Sequence, residues 1–272
     1  MSFKAACIQT TATPDLRHDI GVLDRMIREA AREGAALVAT PEYCAGLDTR
    51  DGKMFPVAYR EEEHPALPHM QDLARDLGIW LLIGSIGVKA PDERIFNRSF
   101  MLSPGGAIAA RYDKVHLFDI DLGEGRSYRE SATIAPGERG VVAPCAEGMI
   151  GLSICYDIRF PDLYRAYAKA GAAMLAAPAA FTKVTGEAHW HVLQRARAIE
   201  NGAYVISTGQ CGTLSGGAQC YGHSLIVDPW GRVLADGGEA PGMVMAEIDL
   251  SLVAETRRRI PSLTHDRPFT LA

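Results

Sequence analysis

The sequence predicts an α/β fold whose sheets are covered on both faces. Short, nearly continuous apolar runs at residues 35–40, 79–86 and 149–155 are typical of strands buried on both sides. Amphipathic segments with helical spacing alternate with these runs. No Ser/Gly-rich or Pro-rich linker divides the chain, so residues 1–272 are predicted to form a single domain.

The first half of the chain alternates between strand and helix. Apolar side chains recur at helical spacing from Leu16 to Ile27 with charged residues between them, so residues 15–33 are predicted to form an amphipathic surface helix. Thr13, which precedes Pro14, suits the start of this helix. The other predicted elements are a first strand in residues 1–10, strands at 35–40, 79–86, 97–103 and 107–113, and a helix near 67–77.

The second half contains shorter strands and more irregular chain. Residues 119–139 are predicted to be irregular. Strands near 149–155 and 173–177 are followed by a predicted helix at 187–201. From residue 203 onwards, four short strands are expected to alternate with turns.

Composition and charge exclude several classes of protein. Hydrophobic residues make up 47% and charged residues 22% of the 272, which excludes a disordered or fibrous chain. The net charge of -5 provides no basic surface, so no nucleic-acid partner is expected. The longest apolar run, residues 170–181, contains Pro178 and is shorter than the roughly 20 residues that span a bilayer, so no membrane partner is expected either.

The cysteines and the N-terminal segment predict a cytoplasmic location. The six cysteines are scattered without close pairing, as is typical of reduced thiols in a chain of this size. The apolar stretch near the N-terminus is too short for the core of a signal peptide and is predicted to be a strand.

Three predicted strands lead into residues that can do chemistry. The run at 35–40 is followed by Glu42, the run at 107–113 by Lys114, and the run at 149–155 ends at Cys155. In α/β sheets, sites are built at the carboxyl ends of strands. We expect Cys155 to lie where a strand gives way to a helix, where free N–H groups favour its thiolate, although an isolated cysteine can equally be inert core packing.

The segments around these residues resemble the nitrilase superfamily of carbon–nitrogen hydrolases. The matching motifs are Pro41-Glu42-Tyr43, residues 112–118 and residues 154–161, in the order found in that superfamily. The chain is most similar to the branch that contains omega-amidase and deaminated glutathione amidase, as residues 116–121 and 185–190 indicate. The resemblance implies a four-layer α-β-β-α sandwich (nitrilase-like) that assembles as a homodimer or a larger homo-oligomer.

The resemblance also implies a role for each residue at the strand ends. Hydrolysis of an amide needs a nucleophile, a group that accepts and returns a proton, and donors for the oxyanion. By similarity, Cys155 is the nucleophile, Glu42 the acid and base, and Lys114 with the backbone N–H of Tyr156 the oxyanion site. Glu130 matches a second glutamate that supports the site, although it could also be a solvated loop charge.

Three further residues match positions that bind substrate in the omega-amidase branch. Arg159 could grip a substrate carboxylate through its bidentate guanidinium, or could form a salt bridge with Asp157 or Asp162. Phe181 could line the pocket or be an ordinary core aromatic residue. Thr185 could line the pocket or cap a helix.

No metal or cofactor is predicted. Cys211, Cys220 and His223 lack the close spacing of a structural zinc site. His189 and His191 are two residues apart, so on a helix they point in different directions and cannot share a metal ion.

The leading hypothesis is a cysteine-dependent amidase that acts on a small carboxylate-bearing substrate. By similarity, it hydrolyses the terminal amide of deaminated glutathione or of an omega-amide such as 2-oxoglutaramate, through a thioester, to the acid and ammonia. An alternative is an N-carbamoyl amino acid amidohydrolase, which would also release carbon dioxide. A second alternative is a non-catalytic redox sensor, in which Cys155 is a reactive thiol and Glu42 and Lys114 have no role.

Overall fold

The computed structural model describes residues 2–50, 53–121, 123 and 127–272. The helices are α1 (Leu16–Arg32), α2 (Ala66–Leu77), α3 (Pro161–Lys169), α4 (Lys183–Asn201) and α5 (Leu250–Arg259), with short 3₁₀ turns at Glu61–Glu63, Glu130–Ala132, Cys155–Arg159 and Ser262–Thr264. The strands are β1 (Ser2–Gln9), β2 (Ala35–Ala39), β3 (Leu47–Arg50), β4 (Lys53–Pro56), β5 (Ala58–Tyr59), β6 (Trp80–Lys89), β7 (Ile95–Leu102), β8 (Ile108–Asp113), β9 (Asp119–Asp121), β10 (Ser127–Arg129), β11 (Ile134–Ala135), β12 (Val141–Cys145), β13 (Gly148–Leu152), β14 (Met174–Ala176), β15 (Tyr204–Ser207), β16 (Cys211–Thr213), β17 (Gln219–Tyr221), β18 (Leu225–Val227), β19 (Val233–Asp236) and β20 (Gly242–Asp249).

Two mixed sheets form the centre of the fold. The eight-stranded sheet has the order β11-β7-β6-β2-β1-β20, with β5 paired to β6 and β8 paired to β7. The six-stranded sheet has the order β12-β13-β14-β15-β18-β19. The strands β1, β2 and β6 run parallel in the first sheet, and β13, β14 and β15 run parallel in the second, so each sheet has a central parallel part.

The alternation of side chains along the strands decides which layer each face contacts. In β1, Ala6 and Ile8 pack with Leu23 of α1 and Met70 of α2, whereas Cys7 belongs to the cluster between the sheets. That cluster joins the inner faces of both sheets and extends to α3 and α4. The layers are therefore α1 and α2, the eight-stranded sheet, the six-stranded sheet, and α3 and α4, which is the four-layer α-β-β-α sandwich expected from the resemblance.

Helix ends differ from the predicted boundaries for local reasons. The predicted helix at 15–33 agrees with α1 to within one residue at each end. Its N-cap is Asp15, whose carboxylate accepts hydrogen bonds from the N–H groups of Arg17 and His18, so the expectation that Thr13 starts the helix is wrong. The helix α4 begins at Lys183, four residues earlier than predicted. Thr185 therefore lies in the first turn of α4 and does not cap it.

Several short strands lie where irregular chain was expected. The loop after β2 contains the β3–β4 hairpin, and residues 119–139 contain β9, β10 and β11. After residue 203 there are six strands rather than four. These strands are only two to eight residues long, so the local hydrophobic pattern carries little trace of them. Most of them pair with the neighbouring short strand in the sequence.

Within the described parts of the chain, no helix is both long enough and apolar enough to cross a membrane.

Candidate active site

The three residues at the predicted strand ends meet where the two sheets pack together. Glu42 lies three residues after β2, and Lys114 directly follows β8, so both extend from the eight-stranded sheet. Cys155 lies three residues after β13 of the six-stranded sheet, at the start of a 3₁₀ turn. All three line one cavity of about 930 Å³.

A buried lysine lies between two carboxylates at the floor of this cavity. Lys114 Nζ is 3.1 Å from Glu42 Oε1 and 2.9 Å from both carboxylate oxygens of Glu130. The side chains of Lys114 and Glu42 are each 2% exposed, and that of Glu130 is 14% exposed. Burial disfavours the charge of Lys114, but the negative charges of Glu130 and Glu42 outweigh it and hold the lysine pKa well above its usual value. Lys114 is therefore a permanent cation at neutral pH.

Glu130 is held by the same cluster and is not a solvated loop charge. Its Oε2 accepts a hydrogen bond of 2.6 Å from the backbone N–H of Phe118. Burial raises the pKa of Glu130, the Lys114 ammonium lowers it, and the charge of Glu42 raises it again. The structure thus places Glu130 against Lys114. Its role in supporting the reaction stays a prediction.

The Glu42 carboxylate is fixed by donors from three separate segments. Besides Lys114, Oε1 accepts from the side-chain amide of Asn97 at 2.8 Å, and Oε2 accepts from the backbone N–H of Ala180 at 2.6 Å. The main-chain carbonyl of Asn97 accepts from the backbone N–H of Lys114 at 3.0 Å. Asn97 thus positions both members of the ion pair, a role that the sequence alone did not reveal.

The thiol of Cys155 is protonated in this environment. The residue is 8% exposed, and burial, followed by the negative charge of Glu42, raises its pKa well above the ordinary value of 9.0, although Lys114 acts in the opposite direction. The expectation that the helix start favours a thiolate is therefore wrong. The Cys155 N–H itself donates to the Pro178 carbonyl at 2.8 Å and is not free to act on the thiol.

The backbone around Cys155 is unusual in two ways. Cys155 has a φ of 50°, in the left-handed region that residues with a side chain rarely adopt. Within the described residues, the backbone N–H of Tyr156 donates no hydrogen bond to a protein atom. A free N–H directly after the thiol is the kind of group that can hold an oxyanion.

A buried carboxylate joins the loop of Lys114 to the loop of Cys155. One oxygen of Asp157 accepts hydrogen bonds from Tyr112 Oη at 2.7 Å and from the Ile154 N–H at 2.8 Å. The other oxygen accepts from the backbone N–H of His116 at 3.0 Å and lies 2.7 Å from Nδ1 of its ring. The His116 ring also stacks on Phe160 with ring centres 3.6 Å apart. Asp157 therefore fixes the relative position of the thiol and the ammonium.

The predicted substrate-binding residues occupy different places around the cavity. Phe181 and Thr185 line it, and the hydroxyls of Thr185 and Thr182 are 2.7 Å apart. Among the described residues, the lining in chain order is Glu42, Tyr43, Lys53, Met54, Phe55, Lys114, Phe118, Ser127, Tyr128, Arg129, Glu130, Ala132, Thr133, Ile134, Cys155, Tyr156, Ala180, Phe181, Thr182, Lys183, Val184, Thr185, Gly217, Ala218 and Gln219.

Arg159 lies beside the cavity and contacts its aromatic wall. Its guanidinium carbon is 5.3 Å from the ring centre of Phe181 and 5.8 Å from that of Tyr156. Both terminal nitrogens are 3.3 Å from Nδ1 of His189. Neither Asp157 nor Asp162, both of which the structure describes, forms a salt bridge with Arg159. A role in binding a substrate carboxylate stays a prediction.

The chain matches a known protein family over most of its length. A family model described as "Carbon-nitrogen hydrolase" matches residues 4–258. The chain belongs to the carbon–nitrogen hydrolase family. It is accordingly a hydrolase that acts on carbon–nitrogen bonds other than peptide bonds, which confirms the family and the activity class expected from the sequence. The assignment of residues 1–272 to one domain stays a prediction.

Similar proteins include named amidases. Deaminated glutathione amidase from Synechocystis is 39% identical over 97% of this chain and 97% of its own length, and the human protein of that name is 40% identical over 97% and 82%. Omega-amidase NIT2 from Xenopus tropicalis is 35% identical over 95% and 93%. The crystal structure of Saccharomyces cerevisiae Nit3, a member of the nitrilase superfamily, has a TM-score of 0.87 and 31% identity, covering 98% of this chain and 97% of that one.

One surface cluster in this carbon–nitrogen hydrolase contains residues that could ligate a metal. Potential ligand atoms of His191, His223 and Asp236 all lie within 4.8 Å of one another. Each imidazole contacts a different oxygen of Asp236, at 3.0 Å for His191 and 2.8 Å for His223, so hydrogen bonding accounts for the cluster. None of the three lines the cavity of Cys155. His189 points instead toward Arg159, as its separation from His191 on the helix predicts.

Proposed function

We propose that this carbon–nitrogen hydrolase is a cysteine-dependent amidase that releases ammonia from the terminal amide of a small carboxylate-bearing substrate. The observation that carries the proposal is the convergence of Cys155, Glu42 and Lys114 on one cavity. Deaminated glutathione and omega-amides such as 2-oxoglutaramate are the proposed substrates, because the relatives named above are amidases of those two kinds.

In the first step, Cys155 attacks the carbonyl carbon of the amide while Glu42 accepts the thiol proton. A base is required because the buried thiol keeps its proton at neutral pH. The Sγ–C bond forms, the carbonyl π electrons move to oxygen, and the oxyanion is held by Lys114 Nζ and the free N–H of Tyr156. Lys114 needs no reorganisation for this role, because Glu42 and Glu130 already fix its charge and position.

In the second step, the C–N bond breaks and the proton on Glu42 goes to the departing nitrogen, so that ammonia leaves and a thioester remains on Cys155. Water then attacks the thioester as Glu42 accepts a proton from it. The Sγ–C bond breaks, the thiol regains its proton from Glu42, and the acid product leaves. One carboxylate thus serves as base and acid in both halves of the reaction.

Substrate recognition is assigned to three residues around the thiol. Phe181 and Thr185 line the cavity and are proposed to contact the substrate chain. Arg159 is proposed to bind the substrate carboxylate. Its contact with the Phe181 ring places a guanidinium next to the lining, and neither Asp157 nor Asp162 pairs with its charge.

The same three reacting groups would serve an N-carbamoyl amino acid amidohydrolase, which differs in releasing carbon dioxide with ammonia. A redox sensor is a weaker candidate. A sensor thiol needs a low pKa, whereas burial and Glu42 raise the pKa of Cys155.

We also propose that the enzyme acts as a homodimer in the cytoplasm. The helix α4 exposes Val184, Val192 and Ile199 on one face, and an apolar face of this kind is typical of an interface with a second copy. The six cysteines are free, as expected in a reducing compartment. Light scattering should give the mass of two chains for the wild type and of one chain for Val192→Glu; a monomeric wild type would contradict the proposal.

The experiment that tests the amidase function measures ammonia release from deaminated glutathione, 2-oxoglutaramate and succinamate by the wild type and by Cys155→Ala. Cys145→Ala is the matched control, because Cys145 is also buried but lies in β12 and does not line the cavity. The proposal predicts activity in the wild type and the control but none in Cys155→Ala. Carbon dioxide release from N-carbamoyl amino acids without activity on the amides would favour the alternative hydrolase.

A further inference from the structure

Tyr43 has a strained backbone beside the catalytic glutamate. Its φ is 48°, in the left-handed region that is rare for a bulky side chain. The conformation is held by its backbone groups, since the N–H donates to Ser85 Oγ at 2.8 Å and the carbonyl accepts from Gln210 Nε2 at 3.2 Å. The side chain is thereby directed to the wall of the cavity that contains Cys155.

The hydroxyl of Tyr43 is buried and has no hydrogen-bond partner among the described residues. The side chain is 2% exposed and lines the same cavity as Glu130, Lys114, Glu42 and Cys155. The hydroxyl therefore lies near the reacting groups. An unsatisfied buried hydroxyl lowers stability, so its presence calls for a compensating role.

The other buried tyrosines show that this is not a general property of the fold. Hydroxyl partners are found for Tyr112 at 2.7 Å, Tyr164 at 2.5 Å, Tyr167 at 2.6 Å and Tyr204 at 3.2 Å. Within the described chain, Tyr43 is the one tyrosine whose buried hydroxyl lacks a protein partner. A phenylalanine would fill the same volume without the polar atom, so packing alone does not explain the residue.

We propose that the Tyr43 hydroxyl is a substrate-binding group that donates a hydrogen bond to an acceptor oxygen of the substrate, next to the scissile amide. This inference rests on the proposed amidase function and adds a specificity-determining residue to it. Burial, followed by the charge of Glu130, raises the pKa of Tyr43 well above its ordinary value, so the hydroxyl keeps the proton that it donates. Strain and an unpaired polar group at one residue are typical of sites where stability is given up for function.

The test is Tyr43→Phe, measured for both catalysis and stability. We expect kcat/KM for the amide substrate to fall about fivefold to tenfold, as for the loss of one neutral hydrogen bond. We expect the Tm to stay the same or rise, because no protein partner is lost. Unchanged kcat/KM would overturn the proposal, and so would a lower Tm, because it would mean that the hydroxyl bonds the protein itself.

Tyr204→Phe is the matched control. The Tyr204 hydroxyl contacts the carbonyl and the N–H of Asp249 at 3.2 and 3.1 Å, and neither residue lines the cavity. This variant should show the opposite pattern, with a lower Tm and unchanged kcat/KM.

A second measurement separates failure of this inference from failure of the amidase function. Iodoacetamide carries an amide oxygen and alkylates a thiol without any hydrolysis: the Sγ–C bond forms, iodide leaves, and the thiol proton goes to Glu42. In Tyr43→Phe, alkylation of Cys155 followed by mass spectrometry should be several-fold slower with iodoacetamide but unchanged with methyl iodide, which has no oxygen. Equal rates with iodoacetamide would overturn the inference whether or not the wild type hydrolyses the amides.

Discussion

The hydroxyl of Tyr112 donates a 2.7 Å hydrogen bond to Asp157, and this bond connects the strand that ends just before Lys114 to the turn that begins at Cys155. The two residues are 45 positions apart in the chain. Asp157 is completely buried, and its other bonds to His116 and Ile154 hold the same two segments. The distance between nucleophile and ammonium thus depends on one carboxylate that has no part in the chemistry.

Replacing Asp157 by Asn should therefore impair both stability and catalysis. An amide offers one acceptor oxygen where the carboxylate offers two, so its NH₂ group would face a donor. We expect the free energy of unfolding to fall by about 2–3 kcal/mol and kcat to fall with it, measured by denaturant titration and by ammonia release. Asp162→Asn, on the exposed first turn of α3, is the control and should change neither. Full activity in Asp157→Asn would show that the link is dispensable.

Replacing Lys114 by Ala should reduce kcat much more than it raises KM. The ammonium is proposed to act on the oxyanion, which exists only during the reaction, and loss of one such donor typically costs about 100-fold to 1,000-fold in kcat. Steady-state kinetics on the best amide substrate would measure the effect. Lys169→Ala removes an exposed lysine of α3 and should leave kcat unchanged. A variant that lost affinity but kept kcat would argue against an oxyanion role.

Replacing Arg159 by Met should discriminate between carboxylate and neutral substrates. If the guanidinium binds the substrate carboxylate, KM should rise about tenfold or more for 2-oxoglutaramate and change little for a neutral amide of similar length. Arg25→Met, on the exposed face of α1, provides the control. An equal change for both substrates would mean that Arg159 acts only through Phe181 and His189.

Stability should decrease in mild acid because of His64. Burial lowers the pKa of this imidazole from 6.5 to about 4, and Nδ1 accepts a hydrogen bond from the N–H of Ala66. Above pH 6.5 both folded and unfolded states are neutral. Between pH 6.5 and about 4 the unfolded state binds a proton that the folded state does not, so stability falls as the pH drops, by up to about 3 kcal/mol.

The measurement is the free energy of unfolding between pH 7 and 4 for the wild type and for His64→Asn. The Asn carbonyl can replace Nδ1 as the acceptor for Ala66 but does not titrate in this range, so the variant should lose less stability than the wild type. His18→Asn, at an exposed position on α1, should behave like the wild type. Parallel curves for the wild type and His64→Asn would contradict the assignment.

The residues found from the sequence share a local signature. Glu42, Lys114 and Cys155 each follow an apolar strand, so the break in hydrophobic pattern marks them, and the resemblance assigns their roles. The alternation of strands and helices likewise predicted an α/β fold and most helix positions, whereas the arrangement in two sheets was implied only by the resemblance. The α4 start and the short strands after residue 203 were misplaced because their hydrophobic periodicity is weak.

The residues that the sequence did not reveal act through contacts between distant segments. Asn97 reaches Glu42 across 55 positions, and its own surroundings in β7 look like ordinary strand. The raised pKa of Cys155 has the same origin, because the thiol becomes buried and comes close to the Glu42 charge only when the two sheets pack. The sequence around Tyr43 does not reveal its role, and only the structure shows that its hydroxyl has no partner among the described residues.

The division of the site between two sheets has a consequence for refolding. Each sheet could form its own hydrogen bonds early, yet Glu42 and Lys114 would meet Cys155 only when the two inner faces dock. Recovery of amidase activity after dilution from denaturant should therefore follow the docking step, lagging behind the return of secondary structure. Enzyme assays would then report the slowest event in assembling this protein, at concentrations too low for spectroscopy.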